Sequence, residues 1–246
     1  MVVVLVPRSH RAWLANIDQQ AVAPQALADI VRSQRITRDS FGILDAMEQI
    51  ADPDGKSYFV IGCDTRPDDA RRATLLTYIL NAGTGYGGTR CDFAATPYGA
   101  AEMHRIIDRQ WSNRWSYAAI RRVCDTGGRL VTTPNGMLMG LGGNRIHSHF
   151  SRRGGTTWGD LFMVSMNQVD DPAGRLRAII ETGRAHAGGP GLDRLLHHEE
   201  IHAQQWAEFG PVQLPARYLA EETRVRIFGG TNRFEKQAGL SDGGYR

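Results

Sequence analysis

Glycine and proline fence off one stretch of this 246-residue chain, residues 192–209, with Gly188-Gly189-Pro190-Gly191 ahead of it and Gly210-Pro211 behind. Leu195, Leu196, Ile201, Trp206 and Phe209 recur along it at helical spacing, so it reads as an amphipathic helix with one face in a core. His198 and His202 fall inside that apolar stripe and stand one turn apart on the same face. Two imidazoles turned inward limit what the chain can fold into. An unsatisfied buried polar group costs about 1–3 kcal/mol, so the remaining sequence must bring that face a partner. A metal ion is the partner that satisfies both rings at once.

Elsewhere, strands and helices are mixed before helices take over. Residues 1–6 (MVVVLV) read as a buried opening strand, 24–33 and 41–50 as helices, 57–62 as a strand and 67–81 as a helix. Residues 98–109 and 113–123 follow as helices, and the apolar runs around Pro134-Asn135-Gly136 predict a hairpin. Residues 156–166 read as a strand, and 173–187 and 215–228 as further helices. Strands followed by a run of helices predict an α+β fold rather than a doubly wound sheet. The glycine cluster at residues 83–88 suggests a boundary, with an N-terminal α/β region over residues 1–88 and a second domain over residues 89–246.

Composition narrows the setting. The longest apolar run ends at Pro7 and Arg8, far short of the roughly 20 residues a spanning helix needs, and it lacks the pattern of a secretory signal. Three cysteines, Cys63, Cys91 and Cys124, form no CxxC pair, so a reducing, cytoplasmic setting is expected. The formal charge of +3 comes from scattered arginines with no long basic run. These arginines read as a solvated surface, with no nucleic-acid partner demanded.

The residue after His198 supplies a chemical role. In His198-Glu199-Glu200-Ile201-His202, the two neutral imidazoles can hold Zn2+, and Glu199, beside that face, suits a general base acting on water. A catalytic zinc generally takes three protein ligands and leaves a fourth position open. Two glutamates compete for the third place. Glu222 interrupts the apolar stripe of the helix over residues 215–228, although it could instead pair with Arg226. Glu235 follows Asn232 by three residues, although that spacing also suits a capping box.

Taken together, His198-Glu199-Glu200-Ile201-His202-Ala203-Gln204-Gln205 and Asn232-Arg233-Phe234-Glu235-Lys236-Gln237-Ala238 resemble the HExxHxxQ…NxFExxA motifs of small gluzincin-like bacterial metallopeptidases, some of which are toxin or effector modules. The resemblance spans residues 156–245. It implies a zincin-like domain with a small sheet packed on the HExxH helix, Glu235 as third zinc ligand, and a peptide or protein substrate. It also makes Gln205 a supporting residue. Arg226 stands where thermolysin-like enzymes carry an aspartate four residues after their glutamate ligand, which speaks against Glu222. Arg233 and Gln237 depart from the residues common at their positions. Tyr218, Tyr245, His147, His149 and His186 are candidate oxyanion donors, and His197 cannot share the face of its neighbour.

Two other classes of function compete. Gly83-Thr84-Gly85-Tyr86-Gly87-Gly88 matches GxGxxG with Asp108 further on, the mark of a dinucleotide-dependent oxidoreductase, but it follows a helix where the fingerprint requires a strand. A non-catalytic, zinc-stabilised binding or effector module would need the same ligands and have no use for Glu199. Separately, the boundary and the resemblance suggest residues 1–88 as a regulatory or delivery segment for a toxin-like hydrolase.

Overall fold

The computed structural model describes residues 6–86, 93, 95–143, 155–166 and 169–240. Of the expected opening strand, residues 1–5 lie outside these, and Val6 belongs to no strand. The fold is α+β. Strands β1 (Gln49–Ala51), β2 (Ser57–Ile61), β3 (Arg129–Thr132), β4 (Leu138–Leu141), β5 (Gly155–Trp158) and β6 (Leu161–Val164) form one sheet in the order β1-β2-β3-β4-β6-β5. Neighbours are antiparallel except β4 and β6, which run parallel. β5 is therefore a terminal strand.

Side-chain alternation sends each strand's apolar residues to two different cores. Phe59, Ile61, Leu130, Leu138, Leu161 and Met163 face one core, which α1 (Arg8–Gln19), α2 (Pro24–Gln34), α3 (Gly42–Asp45), α4 (Pro67–Leu80), α5 (Ala100–Ser112) and α6 (Ala119–Asp125) help to fill. Tyr58, Val131, Met139, Leu141, Phe162 and Val164 face the other, against α7 (Pro172–Thr182) and the start of α8 (Leu192–Phe228). Covered on both faces, the neighbouring strands β4 and β6 are buried at every position. The β2–β3 pairing Val60↔Val131 joins chain from either side of residue 88, and the first core likewise mixes residues from both sides.

Several elements differ from the sequence reading for local reasons. Residues 156–166 are two strands, β5 and β6, turning at Gly159, where φ is 63° and an added Cβ would meet Ser116 at 2.6 Å. The helix expected over residues 41–50 stops at Asp45, whose carboxylate accepts from Ser9 N at 2.8 Å and Ser9 Oγ at 2.7 Å. Ile50 then pairs with Tyr58 in the sheet. Those bonds to Ser9 satisfy the start of α1, a helix the sequence reading missed because its own N-cap, Pro7, offers no side-chain acceptor. Residues 113–123 divide into a 3-10 turn (Arg114–Ala118) and α6. α7 stops at Thr182, short of residue 187, with Gly183 in the left-handed region after it.

The helices read over residues 192–209 and 215–228 are joined as α8 and broken at Gly210, with φ 73° and ψ 175°. The break lets the second half leave the sheet. Gly229 and Gly230 then reverse the chain, and α9 (Arg233–Ala238), capped by Asn232 Oδ1 on Phe234 N at 2.9 Å, returns against α8. No helix among the described residues is long and apolar enough to cross a membrane.

Candidate metal centre

This reversal carries Glu235 to the face of α8 that holds the two histidines. His198 Nε2 lies 3.1 Å from His202 Nε2, and Glu235 Oε2 lies 3.3 Å from the first and 3.5 Å from the second. Among the described residues, His198, His202 and Glu235 are the group whose ligand atoms could share one metal ion. Glu222 lies elsewhere, with its Oε1 accepting from Asn232 Nδ2 at 2.8 Å. The Asn232 amide thus occupies the rival carboxylate, while its oxygen caps α9 and aligns Glu235.

Second partners fix which atoms converge. His198 Nδ1 is 3.0 Å from the carbonyl oxygen of Gly239, and His202 Nδ1 is 2.9 Å from Gln205 Oε1. Both partners can only accept, so each Nδ1 carries a proton and a neutral ring turns a lone pair outward on Nε2. Tyr218 donates to Glu235 Oε1 at 2.5 Å, which leaves the buried Oε2 facing the two imidazoles, 3.3 and 3.5 Å from their Nε2 atoms. Three lone pairs crowded this closely repel unless a cation lies among them.

The spacing fits zinc. Bonds of about 2.0–2.1 Å at tetrahedral angles put neighbouring ligand atoms about 3.3 Å apart, and the three separations here are 3.1, 3.3 and 3.5 Å. In the metal-free protein a proton serves as the cation. Burial disfavours a charged His202, but the hydrogen bond and charge of Glu235 outweigh it and push the ring up to about 9. Burial opposes ionisation of Glu235 as well, yet bonding to both histidines holds that carboxyl well below the usual range.

Glu199 is buried beside this cluster, and its Oε2 accepts from Thr157 Oγ1 on β5 at 2.6 Å. Gln205 ties α8 to α9, its Nε2 donating to the carbonyl of Phe234 at 3.1 Å and to Gln237 Oε1 at 3.0 Å. A glutamine at residue 237 therefore accepts from Gln205, where a carboxylate could have done the same. His197 points elsewhere, stacked on Phe93 with centroids 4.1 Å apart. Of the candidate oxyanion donors, Tyr218 is bonded to Glu235 and His186 lies in the turn before α8. His147, His149 and Tyr245 fall outside the described residues.

The remaining member of the motif anchors the helix. Glu200 is buried and accepts from Arg109 Nη1 at 2.7 Å and from Arg105. Arg109, only 2% exposed, also reaches Asp160 Oδ1 at 3.0 Å and the carbonyls of Asn135 and Gly136, both at 2.9 Å. This corrects the reading of the arginines as uniformly solvated. Burial alone would raise Glu200, but the charges of Arg109 and Arg105 hold it below its ordinary value. Asn113 Nδ2 adds a bond to the carbonyl of Ala203 at 2.8 Å, and Asn135 Nδ2 one to that of Leu196 at 3.1 Å. The helix bearing His198 and His202 is thus pinned to α5 and to the tip of the β3–β4 hairpin.

Of the glycine-rich segment, Gly83 to Tyr86 follow α4, and Gly87 and Gly88 lie outside the described residues. Searches with this chain against protein-family models, curated proteins and solved structures found no match.

Proposed function

We propose that the protein is a zinc-dependent hydrolase of the HExxH type, with a zincin-like domain whose substrate is a peptide bond. The observation that carries this reading is the convergence of His198 Nε2, His202 Nε2 and Glu235 Oε2 at zinc-ligand spacing, on a helix that also bears Glu199. The choice of a peptide rests on the sequence resemblance alone. A zinc ion held by the three residues supplies Lewis-acid polarisation and makes water a stronger acid.

The protein's own groups do the rest. Glu199 accepts a proton from the attacking water and returns it to the leaving amine nitrogen, so that one carboxylate serves both halves of the reaction. Tyr218 holds one oxygen of Glu235 so that the other faces the histidines. The bonds at the two Nδ1 atoms keep both rings in the tautomer that binds metal.

Glu199→Gln tests the reading. It keeps the metal ligands and removes the base, so zinc content stays at one per chain while cleavage of a peptide library falls by about 10²- to 10⁴-fold. Equal behaviour of Glu199→Gln and wild type would favour a zinc-stabilised binding module.

A further inference from the structure

Thr157 sits on the terminal strand of the sheet and is gripped by α8 at two points. Its hydroxyl donates to Glu199 Oε2 at 2.6 Å, and its carbonyl accepts from Trp206 Nε1 at 2.8 Å. Glu199 and Trp206 are seven residues apart on α8, so both grips come from one side of that helix, two turns apart. All three residues are buried. The 2.6 Å separation is at the short end of the range for an O–H···O hydrogen bond.

A glutamate's terminal torsion is broad and roughly two-fold, so burial alone does not decide which oxygen of Glu199 faces the reaction. A hydroxyl fixed from the neighbouring strand does decide it. Occupying Oε2 leaves Oε1 as the oxygen able to take a proton, and the Trp206 bond holds the strand in place while it does so. We propose that Thr157 is the positioning residue for the general base, with Trp206 setting the strand that carries it. The inference rests on the hydrolase reading of Glu199. It also makes a claim independent of turnover, that the hydroxyl and the carboxylate are energetically coupled. An effect confined to orientation lowers kcat and leaves substrate binding intact.

The test uses the zinc-loaded 246-residue chain with Thr157→Val, Thr157→Ser and Trp206→Phe. Thr157→Val is expected to keep one zinc per chain and a KM within about twofold of wild type while kcat falls about 10- to 100-fold. Thr157→Ser restores kcat to within about threefold, and Trp206→Phe gives an intermediate loss. In the Glu199→Gln background, Thr157→Val causes no further fall.

A thermal-unfolding cycle on the metal-free protein supplies the second readout, with the Tm shifts of Thr157→Val and of Glu199→Ala, which removes the acceptor, expected to be non-additive. Wild-type kcat in Thr157→Val with full zinc content would overturn the proposal, as would equal losses in the valine and serine variants. If Thr157→Val does not fold, low kcat in Thr157→Ser with normal zinc content would also overturn it. If the zinc-loaded wild type cleaves no peptide, the hydrolase reading fails on its own, and additive Tm shifts would then overturn the coupling as well.

Discussion

Tyr218 donates its hydroxyl proton to Oε1 of Glu235 at 2.5 Å, across the break in α8 at Gly210, and so turns Oε2 toward His198 and His202. The second half of α8 is thereby tied to the proposed metal centre, although it contributes none of the three candidate ligands. Tyr218→Phe leaves Glu235 free to rotate. We expect zinc to bind about 10- to 100-fold more weakly in this variant, and Gln205→Ala to give a loss of the same order by releasing His202. Competition against a chromophoric chelator measures both, and unchanged affinity in both variants would contradict the roles assigned here.

Zinc affinity should rise with pH. Against the opposing effect of burial, Glu235 pushes His202 up to about 9 in the metal-free protein, so below that pH zinc must displace its proton. Glu235, held low, is already ionised throughout the neutral range and contributes no proton. Between pH 6.5 and 8.5 this one ring makes the apparent affinity climb about tenfold per pH unit, with about one proton released per zinc bound at pH 7. Calorimetry in buffers of different ionisation enthalpy counts that proton, and a pH-independent affinity would refute the assignment.

Arg109 makes a stability prediction. It is buried between Glu200 and Asp160, so Arg109→Met strands Asp160 without a cation while Arg105 still reaches Glu200. The expected loss is about 3–5 kcal/mol in denaturant unfolding of the metal-free protein. Arg109→Lys should recover little of it, because an ammonium cannot reproduce the forked contacts to Asp160, Glu200 and two carbonyls. A loss below about 1 kcal/mol in Arg109→Met would show that the network does not anchor α8.

Asp193, in the first turn of α8, makes stability depend on pH. Burial and the charges of Asp52 and Asp54 raise its carboxyl to about 7, with Lys56 only partly offsetting them. The unfolded value is about 3.9, so the folded state binds this proton more tightly. The resulting stabilisation is complete below pH 4 and is lost as pH rises through 7. Asp193→Asn should flatten unfolding free energy between pH 4 and 8 and stabilise the protein at pH 8 by about 1–3 kcal/mol, less than the full shift implies because a helix N-terminus favours a negative charge. An unchanged pH profile would contradict this.

The parts of the site that are local in sequence were legible before the structure. His198 and His202 share a face because four residues make one helical turn, and the Asn232 cap belongs to a short motif. Glu235 was a candidate from the residues, but its choice over Glu222 rested on resemblance, because nothing local says where a reversal at Gly229 and Gly230 will carry it. Thr157 and Arg109 were not legible at all. Their partners Glu199 and Glu200 lie 42 and 91 residues away, and a threonine in a strand or an arginine on a helix carries no mark of a distant carboxylate. The fold behaved alike. α4 was read to within one residue, whereas α1 was missed because its stabilising carboxylate, Asp45, comes from another helix.

The central claim is that His198, His202 and Glu235 hold one zinc ion. Elemental analysis of the 246-residue chain purified without chelators, beside His202→Ala and Glu235→Ala, tests it most directly. One zinc per wild-type chain, lost in both variants while they remain folded, is the predicted result. A folded wild type without zinc that takes up none when it is supplied would contradict the assignment.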